Sequence, residues 1–192
     1  MDIRFHRRPS RGFTMVELAI VMTIVAILMA ISIPSYKYVT NSNRIAAEIN
    51  GLLGDMQYAR AEAIKEGQTV TVCVSTDGFT CSANNVNWQN GWIVFADVNG
   101  DQKFTAGTDT LLRVQAAFTS TDTFAANNAL AAVTFNREGF ATGGATPVAP
   151  GTLIELHAVP ANNDATRCLS VTQVGLLTVQ TYNVSNNGVT CQ

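Results

Sequence analysis

Phe13–Pro34 reads FTMVELAIVMTIVAILMAISIP, and the arrangement of the rest of the chain follows from it. From Phe13 to Ile33 the stretch holds one charge, Glu17, and neither glycine nor proline. Those 21 residues meet the roughly 20 apolar residues a helix needs to cross a bilayer at about 1.5 Å each. Arg4, His6, Arg7, Arg8 and Arg11 stand just before it, which by the positive-inside rule keeps the N-terminus cytoplasmic and sends everything after Pro34 outside. The segment predicts a one-way membrane anchor.

Three readings compete for this stretch. A secretory signal peptide has a shorter apolar core of about 7–15 residues followed by a small-residue cleavage site, which Ala30 and Ser32 imitate only faintly. A plain anchor gives no reason for a carboxylate within the apolar run, a placement that is costly and usually functional. The third reading rests on Arg11-Gly12-Phe13-Thr14-Met15-Val16-Glu17-Leu18, which resembles the processing site of type IV prepilins and pseudopilins. The resemblance implies that a prepilin peptidase cuts between Gly12 and Phe13 and methylates Phe13. Glu17 then becomes the fifth mature residue, and Pro34 sits where many pilins have a kink. It also implies that the Glu17 carboxylate pairs with the α-amine of a neighbouring subunit in a filament. Glu17 has a local role as well: Thr14-x-x-Glu17 before an apolar run is a capping-box pattern, and an acid in the first turn complements the helix dipole.

Beyond Pro34, Ser35-Tyr36-Lys37-Tyr38 marks the outer membrane interface. Ile45, Ile49, Leu52, Met56, Ala59 and Ala63 then recur at helical spacing as one stripe. Arg44, Glu48, Asp55, Arg60, Glu62 and Lys65 fall mostly off it, and Gly67 can cap the last turn. One helix is predicted from Thr14 to about Glu66, kinked at Pro34. From Thr69 the period changes to two. Strands are expected at Thr69–Val74, Gly91–Ala96, Thr110–Gln115, Ala132–Phe135, Leu153–Val159, Arg167–Thr172 and Leu176–Tyr182. The Ala/Thr/Asn/Gly/Pro-rich stretches Thr119–Asn128 and Thr142–Gly151 read as loops. A helix followed by six or seven strands with short turns predicts an α+β domain with an antiparallel sheet. The expected organisation is a leader (1–12), the membrane half of the helix (13–34), its amphipathic half (35–67) and a β-rich head (68–192).

Composition narrows the function classes. The formal net charge is −2; without Met1–Gly12 the chain keeps 8 basic and 13 acidic side chains, a formal −5. A chain this acidic lacks the basic footprint of a nucleic-acid binder. Cys73, Cys81, Cys168 and Cys191 form an even set on the exported side with no C-x-x-C pair, which favours disulfides over metal ligation or thiol catalysis. Three pairings are open. Cys73–Cys81 with Cys168–Cys191 is preferred because each closes a local loop.

In the exported part, Val72-Cys73-Val74-Ser75, Asp77-Gly78, Cys81, Trp88 and Gly91-Trp92-Ile93-Val94-Phe95-x-Asp97 occur in that order, followed by Phe135-Asn136-x-x-Gly139 and Cys168-Leu169 before Gly175. This order is similar to that of the FimT/FimU minor pilins and the GspH-type pseudopilins. The similarity covers nearly the whole mature chain and implies the type IV pilin fold, a long N-terminal helix packed on an antiparallel head. Some FimT-type relatives bind DNA through a Gly-Arg-x-Arg stretch, whose counterpart here is Gly175-Leu176-Leu177-Thr178. Both arginines are replaced, and with them go the phosphate contacts that dominate affinity. The nearest base in sequence is Arg167, so DNA is not expected as a partner there.

Asp97, Asn99 and Asp101 place oxygens at positions one, three and five of a calcium-type loop, but the glycine comes too early and Thr108 stands where a bidentate acid is needed. The competing reading is a strand connector whose Asx side chains bond their own backbone. Trp92 is expected in the core, and Trp88, in a polar loop, to be the more exposed tryptophan. His157 is expected as a sheet residue. Ser75, Ser170 and the scattered Asp residues form no nucleophile–base pattern, so no catalytic residue and no cofactor are expected. Taken together, the sequence predicts a structural minor pilin that joins other pilins in a filament after processing at the inner membrane, priming or capping the fibre. The rivals are a type II secretion pseudopilin, a DNA receptor at a competence pilus and a calcium-dependent adhesin.

Overall fold

The computed structural model describes residues 12–82, 84–144, 146–186 and 189–192. Most of the expected leader, up to residue 11, lies outside them. A single helix, α1, runs Met15–Glu66. Thr14 starts it: its hydroxyl oxygen accepts the Glu17 N–H at 3.2 Å, and its carbonyl accepts the Leu18 N–H at 3.1 Å. Gly67 ends it in the left-handed region, with φ +68° and its N–H on the Ala63 carbonyl at 3.0 Å. The helix continues through Pro34, whose nitrogen has no hydrogen to donate.

The chain divides into two units, Met1–Thr40 and Asn41–Gln192. In the first, the described residues of α1 leave their large apolar side chains exposed along the whole run. In the second, the rest of α1 meets the strands. The expected stripe Ile45, Ile49, Leu52, Met56, Ala59 and Ala63 is buried without exception.

The strands are β1 (Val70–Val74), β2 (Gly91–Ala96), β3 (Thr110–Ala116), β4 (Thr123–Ala126), β5 (Ala132–Phe135), β6 (Ala141–Thr142), β7 (Thr152–His157), β8 (Arg167–Val171), β9 (Leu177–Thr181), β10 (Ser185–Asn186) and β11 (Val189–Thr190). They build two main antiparallel sheets, ordered β3-β2-β1-β5-β6 and β4-β7-β8-β9, and a β10–β11 ribbon. Alternation sorts the side chains. Val70, Val72 and Val74 of β1 join the helix stripe with Trp92, Val94, Val133, Phe135, Ile154, Leu156, Leu169 and Val171, so one core lies between α1 and both sheets. The opposite faces carry smaller clusters, Cys73 with Ile93 and Phe95, and Leu153 with Cys168 and Cys191.

Two expectations are corrected. Thr119–Asn128 is not all loop, because Thr123–Ala126 pairs with β7 from Thr123 opposite His157 to Ala126 opposite Ile154. Its alanines carry little strand signal; burial of Phe124 and Ala126 in the core selects the conformation. The stretch Thr142–Gly151 likewise begins inside β6. Trp88 is also not the exposed tryptophan. A single 3₁₀ turn, Trp88–Asn90, folds it to 0 % exposure, and its indole N–H donates to the Leu130 carbonyl at 3.1 Å. Trp92 is buried as expected, edge-on to Phe118 and Phe124.

Candidate functional site

At the N-terminal end of α1, Gly12, Phe13 and Glu17 are exposed. The cap uses the Glu17 backbone N–H, and among the described residues the exposed carboxylate makes no hydrogen bond. The N-terminal end of α1 therefore presents an exposed Gly12–Phe13 pair, a first turn with an exposed carboxylate, and an apolar rod.

The head is stapled at two places. Cys73 and Cys81 are joined with Cα atoms 5.5 Å apart, and Cys168 and Cys191 with Cα atoms 5.7 Å apart. The first closes the loop after β1 and the second ties the C-terminus to β8. The Asp77 carboxylate organises the first loop. It accepts the Thr80 hydroxyl at 2.6 Å, the Phe79 and Thr80 N–H groups at 2.8 Å and the Ser75 hydroxyl at 3.0 Å. These donors, led by the Thr80 hydroxyl, hold its pKa well below the usual carboxylate range.

The calcium-type residues behave as a connector. Asp97 is buried and its two oxygens accept four donors: Thr71 Oγ1 at 2.7 Å and the N–H groups of Gly100, Asp101 and Gln102 at 2.8, 3.2 and 3.0 Å. Asn99 Oδ1 accepts from Asp101 N at 3.4 Å, and Asp101 Oδ1 from Lys103 N at 2.9 Å. The side-chain oxygens thus bond within the head, mostly to their own loop, as Asx turns do. His157 stands in β7, half-buried, 3.6 Å from Glu155.

The segment Gly175-Leu176-Leu177-Thr178 turns from β8 into β9. Gly175 has φ +73°, and a Cβ there would lie 2.0 Å from the Gly139 carbonyl oxygen. Only glycine allows that approach. The base beside it is not Arg167, which bonds the carbonyls of Asp164 and Thr166, but Arg60 of α1. Arg60 Nε donates to the Gly139 carbonyl at 3.0 Å and Nη2 to the Val174 carbonyl at 3.3 Å. Sequence separations of 79 and 114 residues hid this contact. Arg60, Ala61 and Ile64 of α1 face Leu176 and Leu177 across an open groove of about 510 Å³.

Residues 48–175 match the family described as type II transport protein GspH, and residues 7–33 match the prokaryotic N-terminal methylation motif. A fimbrial protein of Dichelobacter nodosus is 34 % identical over 92 residues, 47 % of this chain and 54 % of its own length. The type IV major fimbrial protein FimA of Dichelobacter nodosus gives the same figures, 34 % over 92 residues. The chain thus spans about half the length of the curated relatives it matches. Two crystal structures of the Pseudomonas aeruginosa type IV minor pilin FimU share the fold. One has a TM-score of 0.53 at 21 % identity over 82 % of this chain and 99 % of that one. The other has a TM-score of 0.50 at 20 % identity over 72 % and 91 %.

Proposed function

This chain belongs to the GspH family of pilin-like proteins, and from that premise we propose that it is a structural minor pilin of a type IV pilus, helping to prime or cap the filament. The observation that carries the proposal is the apolar rod of α1. Its large side chains are exposed from Met15 to Ile33, it bears one carboxylate, and it lies within an N-terminal methylation motif. Lipid covers such a surface until a prepilin peptidase removes residues 1–12 and methylates Phe13; neighbouring pilins cover it afterwards. Residues 13–34 then form the membrane half, residues 35–67 the amphipathic half and residues 68–192 the head. A lone carboxylate in hydrocarbon is costly unless paired, so Glu17 and a neighbour's α-amine set the register as the rods bundle. The head chooses partners, and twitching, adhesion or competence follow from the filament. The fimbrial relatives support the pilus. Loss of both arginines at Gly175–Thr178 argues against a DNA receptor at that place.

A second reading, a pseudopilin of a type II secretion machine, is favoured by the family's own description. Mass spectrometry of fibres sheared from the cell surface tests both. The pilus reading expects mature chains beginning at methylated Phe13 together with other pilins. A mature chain that begins at Ile33, or a functional one that keeps residues 1–12, overturns the pilin reading. Correctly processed chain found only with secretion-system subunits moves the proposal to the pseudopilin.

A further inference from the structure

The two disulfides stand in different surroundings. Cys168 and Cys191 are both fully buried, packed with Leu153. In the other bridge Cys73 is 1 % exposed but Cys81 is only half-buried, and both cysteines border a cavity of about 160 Å³. Thiol–disulfide exchange needs a thiolate to reach one of the two sulfurs, so access decides which bridge opens and which sulfur is attacked. The charged residues lining the cavity, Asp101 and Lys103, have opposite signs, so an approaching thiolate meets no net repulsion.

The effect of opening this bridge is confined. Cys73 lies on the face of β1 away from the main core, clustered with Ile93 and Phe95, while Val70, Val72 and Val74 pack against the α1 stripe. A free Cys73 thiol suits that apolar cluster, since a buried cysteine behaves as a small hydrophobe. The ends of the loop Ser75–Cys81 are also held without sulfur. The Ser82 N–H donates to the Val74 carbonyl at 2.9 Å, and each of these residues directly follows one cysteine of the bridge. Opening therefore removes the covalent tie of the loop that carries the exposed Phe79, yet leaves Cys73 and Cys81 side by side to close again.

We propose that the Cys73–Cys81 bridge is a reversible thiol-exchange site, opened by a dithiol reductant that attacks Cys81. One thiolate of the dithiol bonds to Cys81 Sγ, the bond between Cys81 and Cys73 breaks, and its electron pair leaves on Cys73 Sγ, which takes up a proton. The second thiolate of the dithiol then displaces Cys81 Sγ, which is protonated in turn, and the reductant ends as its own disulfide. The chain thus gains the electron pair and the protons that the dithiol gives up. The site needs only the folded head and stands whether or not the chain enters a filament.

The test uses the full-length chain in detergent, with dithiothreitol as the probe. Samples quenched with N-ethylmaleimide over time and mapped by mass spectrometry are expected to show Cys73 and Cys81 labelled at least about tenfold faster than Cys168 and Cys191, with the far-UV circular dichroism unchanged. Once the probe is replaced by oxidised glutathione, Cys73–Cys81 is expected to return without crossed pairs. Single variants assign the attacked sulfur. The thiol that Cys73→Ser leaves at Cys81 is expected to react with maleimide at least about tenfold faster than the thiol that Cys81→Ser leaves at Cys73. A non-reducing digest that retains Cys168–Cys191 checks that each variant folds, and the parental time course decides alone if one does not. Bridges that open at equal rates, Cys168–Cys191 opening first, opening only with loss of the helical signal, crossed pairs on reoxidation, or Cys73 reacting as fast as Cys81 overturns the proposal.

Discussion

Arg44 holds Asp122 through two hydrogen bonds, Nε to Oδ2 at 2.7 Å and Nη2 to Oδ1 at 2.9 Å, and so ties α1 to the segment entering β4. The Asp122 side chain is fully buried, and its Oδ1 also accepts the Val159 N–H at 2.8 Å. The paired carboxylate in turn raises the Arg44 pKa, chiefly through their hydrogen bond.

Arg44→Ala leaves a buried carboxylate with the Val159 N–H and no countercharge. Breaking such a pair is strongly destabilising, about 3–5 kcal/mol when fully buried. Because Arg44 is itself 36 % exposed, water returns part of that, and a loss of about 2–3 kcal/mol is expected. Arg44→Lys keeps the charge but not the two-pronged fit and falls between. Denaturant unfolding of the detergent-solubilised chain measures both, and equal losses for Ala and Lys would remove the charge from the explanation.

Glu48, one turn further along α1, gives a pH dependence. Its Oε1 accepts the Ser120 hydroxyl at 3.1 Å, while Oε2 is buried with no hydrogen-bond partner among the described residues. Burial pushes its pKa up from 4.5, the Ser120 bond opposes that, Asp122 adds to the rise and Arg44 works against it. The folded chain therefore holds the proton more tightly than the unfolded one. Stability should fall as pH climbs from about 4.5 through the raised folded value. Glu48→Gln keeps the Ser120 contact and removes the charge. It is expected to flatten that slope and to stabilise at pH 7 by less than about 1 kcal/mol, since Glu48 is only half-buried. Melting curves from pH 4 to 8 that keep their slope in the Gln variant would show that another group titrates.

What the sequence disclosed and what it hid divide by the range of the interaction. Ile45 through Ala63 announced the buried face because a period of 3.6 is local, and Val70–Val74 and Gly91–Trp92–Ala96 announced strands by alternation and β-branching. Trp88 has polar neighbours in sequence, and only the 3₁₀ turn and the Leu130 carbonyl, 42 residues on, make it core. The strand at Thr123–Ala126 exists because β7 and the core want it, not because its own residues prefer extension. Of the candidate sites, the Gly12–Phe13–Glu17 pattern is contiguous and was visible as such. Arg60 beside Gly175, and the groove they border, depend on three distant segments meeting and left no trace in one dimension.

The two disulfides should differ in what they contribute. On a chain-entropy estimate, closing a loop of 23 residues stabilises by about 3.4 kcal/mol and one of 8 by about 2.5 kcal/mol. Cys168→Ser with Cys191→Ser should therefore lower the unfolding free energy by about 1 kcal/mol more than the Cys73 and Cys81 pair. Cys168 and Cys191 also form a small apolar cluster with Leu153, which serine would disrupt, in the same direction. The shorter bridge has a different signature: its loss frees the Phe79 loop, so proteolysis near Phe79 should quicken while the global transition moves less. If the two double variants unfold alike and neither gains a cleavage site, the loops are held by packing rather than by sulfur.

Glu17 can be separated from helix formation because the two roles use different atoms. The helix start uses its backbone N–H on Thr14 Oγ1, so Glu17→Gln keeps the cap, and an exposed substitution of this kind should change stability by less than about 0.5 kcal/mol. Membrane insertion and cleavage after Gly12 are therefore expected to proceed normally. If the carboxylate pairs with a neighbour's α-amine inside the bundle, its loss removes a charge pair from a medium of low dielectric. Even about 1.4 kcal/mol per subunit lowers incorporation tenfold. Thr14→Ala does the opposite, weakening the helix start by about 1 kcal/mol while leaving the carboxylate in place. The measurement is the ratio of chain in sheared fibres to chain in membranes, by quantitative immunoblot. A Gln variant that is cleaved and enters fibres at the parental ratio would show that apolar packing alone sets the register. One that accumulates uncleaved would move the carboxylate's role to recognition by the peptidase.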